Sequence, residues 1–170
     1  VGLRISWNNR PAISIRPEES DRQMGLPGAT VNWETRRAAM KDVCLTCHQP
    51  QWVNNFYVQY DNMIELYQTK FAKPGQGLYD LAKPLLRPAE FSNPIDFTWY
   101  EIWHHEGRRA RHGASMMAPD YAHWHGMFEV AERFYQQLIP QAREIAQHAE
   151  DAGQTEAAEA VMMCVSTSRR

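Results

Sequence analysis

Apolar residues recur at steps of three and four along two stretches of the chain, which is the spacing of one face of an α-helix. The first stretch contains Trp52, Phe56, Tyr60, Met63, Ile64 and Tyr67. The second contains Met127, Ala131, Phe134, Leu138, Ala142, Ile145 and Ala149. Strand-like alternation is limited to one short run, residues 3–7, so the pattern predicts an all-α fold.

Start and stop signals extend this prediction to further helices. A run of good helix formers begins at Trp33, after a cap at Thr30 or Asn32. Three later helices are predicted: about Asp96 to Arg111 behind Asn93-Pro94, near Asp120 to roughly Ala149, and Gln154 to about Met163.

Breaks and packing follow from the same pattern. A long irregular connection is predicted at Lys73-Pro74-Gly75, Pro84, Pro88 and Pro94. Pro140 should kink the helix that carries the second stripe, because proline removes one hydrogen bond. That stripe resembles a coiled-coil seam and lacks a partner of comparable length in the chain except residues 52–67. An unmatched apolar stripe packs between subunits, so we expect long helices forming an intersubunit bundle.

The composition is that of an ordinary soluble protein. The chain has 170 residues, of which 44% are apolar and 22% charged, enough for one compact domain with a core. A net charge of −2 favours neither nucleic acid nor an anionic membrane as partner, and no apolar run reaches the roughly 20 residues of a membrane span. The chain starts at Val1 without an initiator methionine or a signal peptide, so we expect a processed or cut piece of a longer chain.

One short motif carries specific chemistry. Residues 44–50 read CLTCHQP, and C-x-x-C-H is the attachment motif of a c-type haem. Cys44 and Cys47 would form the two thioether bonds, and His48 would be the proximal ligand of iron. A zinc site would need a second pair of ligands at suitable spacing, and the sequence has no second cysteine pair. Because this haem is attached outside the cytoplasm, we expect an extracytoplasmic location, the periplasm or an equivalent bacterial compartment.

Candidates for a distal iron ligand are concentrated in residues 103–126, WHHEGRRARHGASMMAPDYAHWHG. One histidine alone would favour a hydrogen-bonded structural role, but five in this stretch favour at least one iron ligand. Met116 and Met117 are alternative thioether ligands, although a methionine pair at a helix end is more often core filler. Three arginines are interpreted as partners of haem propionates or acidic neighbours, or as a solvated face: Arg108, Arg109 and Arg111.

Three segments together resemble the C-terminal part of the octahaem hydroxylamine oxidoreductase and hydrazine dehydrogenase family. They are WNNRPAISIRP, WETRRAAMKDVCLTCHQPQWVNNFYVQYD and residues 103–126. The resemblance covers nearly the whole chain, although the last part matches only in helical character. It implies a multihaem cytochrome c in which this region carries the last haem, and in which the following long helices build a homotrimer.

The resemblance also implies roles for single residues. The C-x-x-C-H residues would hold one haem c. His112, in RARHGAS, resembles a distal-ligand position, with His105 as second choice, and either could serve a haem attached to another chain. Tyr121, in MAPDYAHWHG, resembles the tyrosine that bonds covalently to the catalytic haem of a neighbouring subunit.

The chain lacks the family's other haem motifs, including the one for the catalytic haem. We therefore expect an oxidoreductase acting on hydroxylamine or hydrazine, active only with a haem-rich partner chain in a trimer-based assembly. The choice of substrate, the direction of the reaction and the origin as a separate gene product or a cleaved fragment stay open. Two alternatives are a stand-alone monohaem electron-transfer cytochrome c and a structural trimerisation module.

The expected organisation is a single domain over 1–170, the C-terminal module or a separate subunit of a larger multihaem cytochrome. It would consist of an irregular arm (1–30), haem-binding helices (31–70) and long helices (95–163). The single c-type haem would lie near the irregular N-terminal segment.

Overall fold

The computed structural model describes the backbone of residues 33–168 and the side chains of residues 37–168. Within that range the chain forms no strand and five helices: α1 (Trp33–Leu45), α2 (50–82), α3 (94–115), α4 (119–151) and α5 (Thr155–Thr167). The all-α prediction is confirmed for this range. The expected irregular arm and the caps at Thr30 or Asn32 lie outside the described residues.

Most helix starts lie where sequence signals predict them. The backbone N–H of Asn93 donates to Asp96 Oδ2 at 3.0 Å, as part of a capping box at the start of α3. Proline occupies the first turn of α4, at Pro119, where a missing N–H is harmless. Two helices run beyond their predicted ends, α3 to Ser115 and α5 to Thr167.

The long irregular connection predicted after residue 72 is wrong. α2 has three consecutive parts: α-helical Pro50–Tyr67, π-helical Gln68–Ala72 and α-helical Lys73–Ala82. A proline normally clashes with the carbonyl four residues earlier. For Pro74 that residue is Lys70, which lies in the wider π-helical turn, so the helix accommodates the ring and continues. Irregular backbone begins only at residue 86, after the 3₁₀ turn Lys83–Leu85.

α4 also accommodates a proline, Pro140, behind a π-helical turn. Its five parts are Pro119–Ala122, π-helical His123–Phe128, Glu129–Arg133, π-helical Phe134–Leu138 and Ile139–Asp151. Pro140 follows the second π-helical turn, and the preceding Ile139 keeps helical angles (φ −62°, ψ −48°). The kink predicted at Pro140 is found instead at His125, where ψ is 23°.

The apolar seam of α4 is buried inside the chain, so the prediction that it is unmatched is wrong. Phe134, Leu138, Ala142 and Ala149 belong to one core cluster with residues of α2, α3 and α5. Two elements that were missed or predicted too short cover the seam, namely Lys73–Ala82 of α2 and the full length of α5. The seam therefore gives no support to an intersubunit bundle.

A different stripe of α4 is exposed. Its members are large and apolar or aromatic, and lie three to seven positions apart: Tyr121, Trp124, Phe128 and Tyr135. None of the helices in the described part of the chain is long and apolar enough to cross a membrane.

A second, smaller core lies beside the C-x-x-C-H motif. Val53, Tyr57, Tyr60 and Ile64 of α2 are buried there, with Cys44 and Ala114 packed against them. This cluster brings α1 and α3 onto the same face of α2. It therefore joins the motif to the histidine-rich end of α3.

Candidate haem site and histidine cleft

The C-x-x-C-H residues lie on the turn between α1 and α2. The backbone N–H groups of Cys47 and His48 both donate to the carbonyl of Cys44, at 3.2 and 2.9 Å. The hydroxyl of Thr46 donates to the Val43 carbonyl at 2.8 Å and closes the end of α1. These local bonds hold two free thiols and one imidazole together on one turn.

His48 is positioned by an aromatic neighbour. Its ring stacks on Trp52 with 4.1 Å between centroids and 18° between planes. Proline at position 50 starts α2 and places Trp52 on its first turn. Both His48 and Cys47 are exposed, and Cys44 is half-buried.

A cleft of about 210 Å³ opens beside this turn, and we call it the motif cleft. Its wall includes Cys44, His48, Trp52, Val53, Met116 and Met117. The thiol of Cys44 and the imidazole of His48 line this cleft beside apolar and aromatic walls, and the thiol of Cys47 lies on the same turn. These are the groups that a covalently attached haem requires, so the residues fit this cofactor. In the described part of the chain, no group of three or more His, Cys, Asp and Glu side chains is placed to hold a metal ion by side chains alone.

A second cleft of about 460 Å³ lies between α3 and the start of α4, and we call it the histidine cleft. Seven of its lining residues carry side-chain nitrogen or phenol groups: Tyr100, His104, His105, Arg108, Arg109, His112 and Tyr121. The structure thus brings together three residues singled out from the sequence, His105, His112 and Tyr121. Neither of these two histidines lines the motif cleft. Met116 lines both clefts, which therefore adjoin each other at the end of α3.

His105 is oriented by a buried carboxylate. Its Nδ1 lies 3.2 Å from Glu106 Oε1, and the side chain of Glu106 is only 3% exposed. The same carboxylate oxygen lies 3.2 Å from Arg133 Nε. On the other side of the ring, Arg109 Nη2 lies 3.4 Å from Nε2. These contacts favour the tautomer with hydrogen on Nδ1 and the lone pair on Nε2, which is a common arrangement for a metal-binding imidazole.

The other two imidazoles of the cleft have pKa values below that of a free histidine, which favours their neutral form. Burial, aided by the charges of Arg108 and Arg111, lowers the pKa of His112 below its ordinary value. Burial and the same two arginines also lower the pKa of His104, whose ring stacks on Tyr100 at 4.6 Å. A neutral imidazole is the form that binds a metal or accepts a hydrogen bond.

Tyr121 lies in the first turn of α4 and is 52% exposed. Just before it, α3 ends with Met117 in the left-handed region (φ 55°). The N–H of Ala118 donates to the carbonyl of Gly113 at 2.9 Å, which reverses the chain direction tightly. The side chain therefore lies at the rim of the histidine cleft, near the end of a helix.

Two residues that sequence reasoning missed build this site. A Cβ added to Gly113 would lie 2.7 Å from the backbone N of Ala122 and 2.9 Å from Tyr121 Cβ, so only glycine allows α3 and α4 to approach this closely. The other is Glu106. Its signal in the sequence is weak, because a glutamate after two histidines is ordinarily a solvated helix residue.

Comparison of the chain with protein-family models, with curated proteins and with solved structures finds no match. The geometry of the two clefts and the resemblance of the motifs are therefore the basis for a functional proposal.

Proposed function

We propose that this chain is a subunit or fragment of a multihaem c-type oxidoreductase that oxidises hydroxylamine or hydrazine. It carries one haem c on Cys44 and Cys47, with His48 on iron, and works beside a haem-rich partner chain. One observation supports this most: the motif cleft and the histidine cleft adjoin at Met116. Two haems placed in them would be close neighbours, which an electron relay requires.

The chain's residues have distinct tasks at the motif cleft. Cys44 and Cys47 would hold the macrocycle through two thioether bonds, and His48, whose ring stacks on Trp52, would be the proximal ligand of iron. The apolar wall formed by Val53, Phe56 and Tyr57 excludes water from one side of the cleft. A haem bound there supplies a one-electron redox centre whose potential depends on its axial ligands and burial.

At the histidine cleft the chain offers groups to a neighbour. Tyr121 presents its phenol at the rim for a covalent bond to the catalytic haem of another chain, in a trimer-based assembly. A covalent tether distorts the macrocycle, which is one means by which a protein changes haem chemistry. His105 and His112 offer axial imidazoles to a haem that this chain does not attach.

A stand-alone monohaem electron carrier is the second candidate, and one observation favours it. Met116 and Met117 lie on the wall of the motif cleft, whereas the histidines proposed as distal ligands do not. A haem with His48 on one side and a thioether on the other has the ligands of many electron-transfer cytochromes c. The trimerisation module has less support, because the seam of α4 is buried within the chain.

Native mass spectrometry of the complex, purified from the extracytoplasmic compartment, distinguishes these proposals. We expect one covalent haem on this chain and association with a second chain that carries several haems. A single chain with one haem and no partner would favour the electron carrier, and a chain without added haem mass would contradict both.

A further inference from the structure

Neighbouring arginines of α3 differ in their partners. Arg109 is engaged, because its Nη1 lies 2.9 Å from Glu129 Oε2. Arg108 is exposed on the wall of the histidine cleft and forms no ion pair with any described residue. Its guanidinium is therefore available to an anion that enters the cleft.

A buried charge lies near the same helix face. Arg111 is 5% exposed, and its Cζ lies 4.8 Å from the centroid of the Tyr67 ring. Both terminal nitrogens lie 3.4 Å from the carbonyl of Trp103, and among the described residues no carboxylate pairs with it. Buried charges are normally paired. Arg111 therefore adds a positive charge beside the cleft that no described carboxylate contacts.

The positive charges of Arg108 and Arg111 affect the histidines of the cleft. After burial, Arg108 and Arg111 are the next causes of the lowered pKa of His112, and the same holds for His104. None of the described residues that line the cleft has an acidic side chain. The neighbouring carboxylates, Glu106 and Glu129, are already paired with Arg133 and Arg109, so an anion in the cleft would meet the positive charge of Arg108 without a carboxylate on the lining itself.

The remaining walls limit the kind of anion. Tyr100, Met116, Ala118 and Tyr121 provide aromatic and apolar surface beside the arginine. A small inorganic anion would leave this surface uncovered. A flat apolar body that carries carboxylates matches both parts of the cleft, and a porphyrin with its propionates has that chemistry.

We propose that Arg108 binds a propionate of a porphyrin borne by another chain, whose apolar edge packs against Tyr100 and Tyr121 in the histidine cleft. This inference rests on the proposed function, in which Tyr121 reaches such a haem. Arginine suits this role because its planar guanidinium matches a carboxylate with two parallel hydrogen bonds.

The direct test is a titration of the full chain, carrying its own covalent haem, with iron protoporphyrin and with its dimethyl ester. Binding is followed by the absorbance of the added porphyrin. We expect the ester, which lacks the carboxylates, to bind about tenfold or more weakly than the free acid. The Arg108→Gln variant should weaken binding of the acid to a similar degree and leave the ester unchanged.

Two controls define the specificity. Arg108→Lys keeps the charge and should restore part of the affinity, and Arg143→Gln, which lies outside the cleft in the second half of α4, should bind like the parent. Inorganic phosphate in excess should compete only weakly. Equal affinity for acid and ester, or an Arg108→Gln variant that binds the acid as the parent does, would overturn the inference.

The same variants in the native complex separate this inference from the proposed function. We expect Arg108→Gln to lower the fraction of Tyr121 peptide that carries a haem. If the parent complex contains no such peptide while the titration behaves as expected, the proposed function fails and the anion site stands. If the peptide is present and the titration shows no dependence on Arg108, only the anion site fails.

Discussion

The C-x-x-C-H turn and the histidine cleft adjoin each other but are built in different ways. The turn is local: backbone bonds from residues 47 and 48 to Cys44, and a stacked ring on the next helix, fix its donors. The histidine cleft depends on tertiary packing. Gly113 lets α4 approach α3, and the buried Glu106 orients His105.

This difference determines what each region tolerates. A local turn keeps its chemistry as long as its own residues are present. A cleft assembled from two helices changes when any packed residue at their junction changes, even one that touches no ligand. The predictions below test this contrast.

The largest effect is expected for the double variant Cys44→Ala and Cys47→Ala. Both thioether bonds are lost, so the intact chain should show no covalently added haem by mass spectrometry. Cys164→Ala is the matched control and should keep the haem mass. Retention of covalent haem by the double variant would exclude the motif as the attachment site.

The next effect concerns the helix junction. Gly113→Ala places a methyl group against backbone atoms of Tyr121 and Ala122, and should lower the free energy of unfolding by about 3 kcal/mol. Gly77→Ala is the control, because its Cβ meets nothing within 4 Å and helical alanine should raise stability by about 0.5 kcal/mol. Urea unfolding of both variants measures the difference. Equal stabilities would show that the junction is not tightly packed.

Glu106→Gln should have a smaller effect. It removes the negative charge that His105 and Arg133 share, although Arg133 keeps Glu101 at 2.6 Å. We expect a loss of about 2 kcal/mol in the free energy of unfolding. Glu129→Gln, which changes a more exposed pair with His125 and Arg109, should lose less than about 1 kcal/mol. A reversed order of the two losses would contradict the role given to the buried carboxylate.

The smallest effect is a pH dependence of the cleft. Because the pKa of His112 is lowered in the folded chain, protons bind the unfolded chain more readily. The contribution of neutral His112 to the free energy of unfolding is fully present above pH 6.5, the pKa of this histidine in the unfolded chain. It is lost as the pH falls from there through the lower pKa of the folded chain. In the chain free of partner, His112→Asn should flatten the fall in stability between neutral and acidic pH. An unchanged slope in thermal or urea unfolding would show that His112 is not the group concerned.

The sequence predicts local features well and packed features poorly. The Asn93 cap and the start of α4 each depend on a few adjacent residues, and the structure places these two helix starts close to the predicted positions. The helix at Lys73–Ala82 was missed because a π-helical turn before Pro74 accommodates the ring. No pattern of adjacent residues reveals such a turn.

That one error led to another. Without Lys73–Ala82 and with α5 predicted too short, the seam of α4 had no partner and suggested an intersubunit bundle. Gly75 shows how close the missed packing is, since an added Cβ there would lie 2.5 Å from Trp99 Cζ3. Contacts between residues so far apart in sequence have no signal in a single chain. The roles of Gly113 and Glu106 were missed for the same reason.

The most direct test of a neighbour's haem in the histidine cleft is the mass of the peptide that contains Tyr121, prepared by proteolysis of the native complex. We expect a peptide with the added mass of a haem whose own C-x-x-C-H peptide comes from another chain. Tyr121→Phe should abolish this species and leave the haem on Cys44 and Cys47 in place. An unmodified Tyr121 peptide from an intact, haem-loaded complex would contradict the claim that the histidine cleft receives a neighbour's haem.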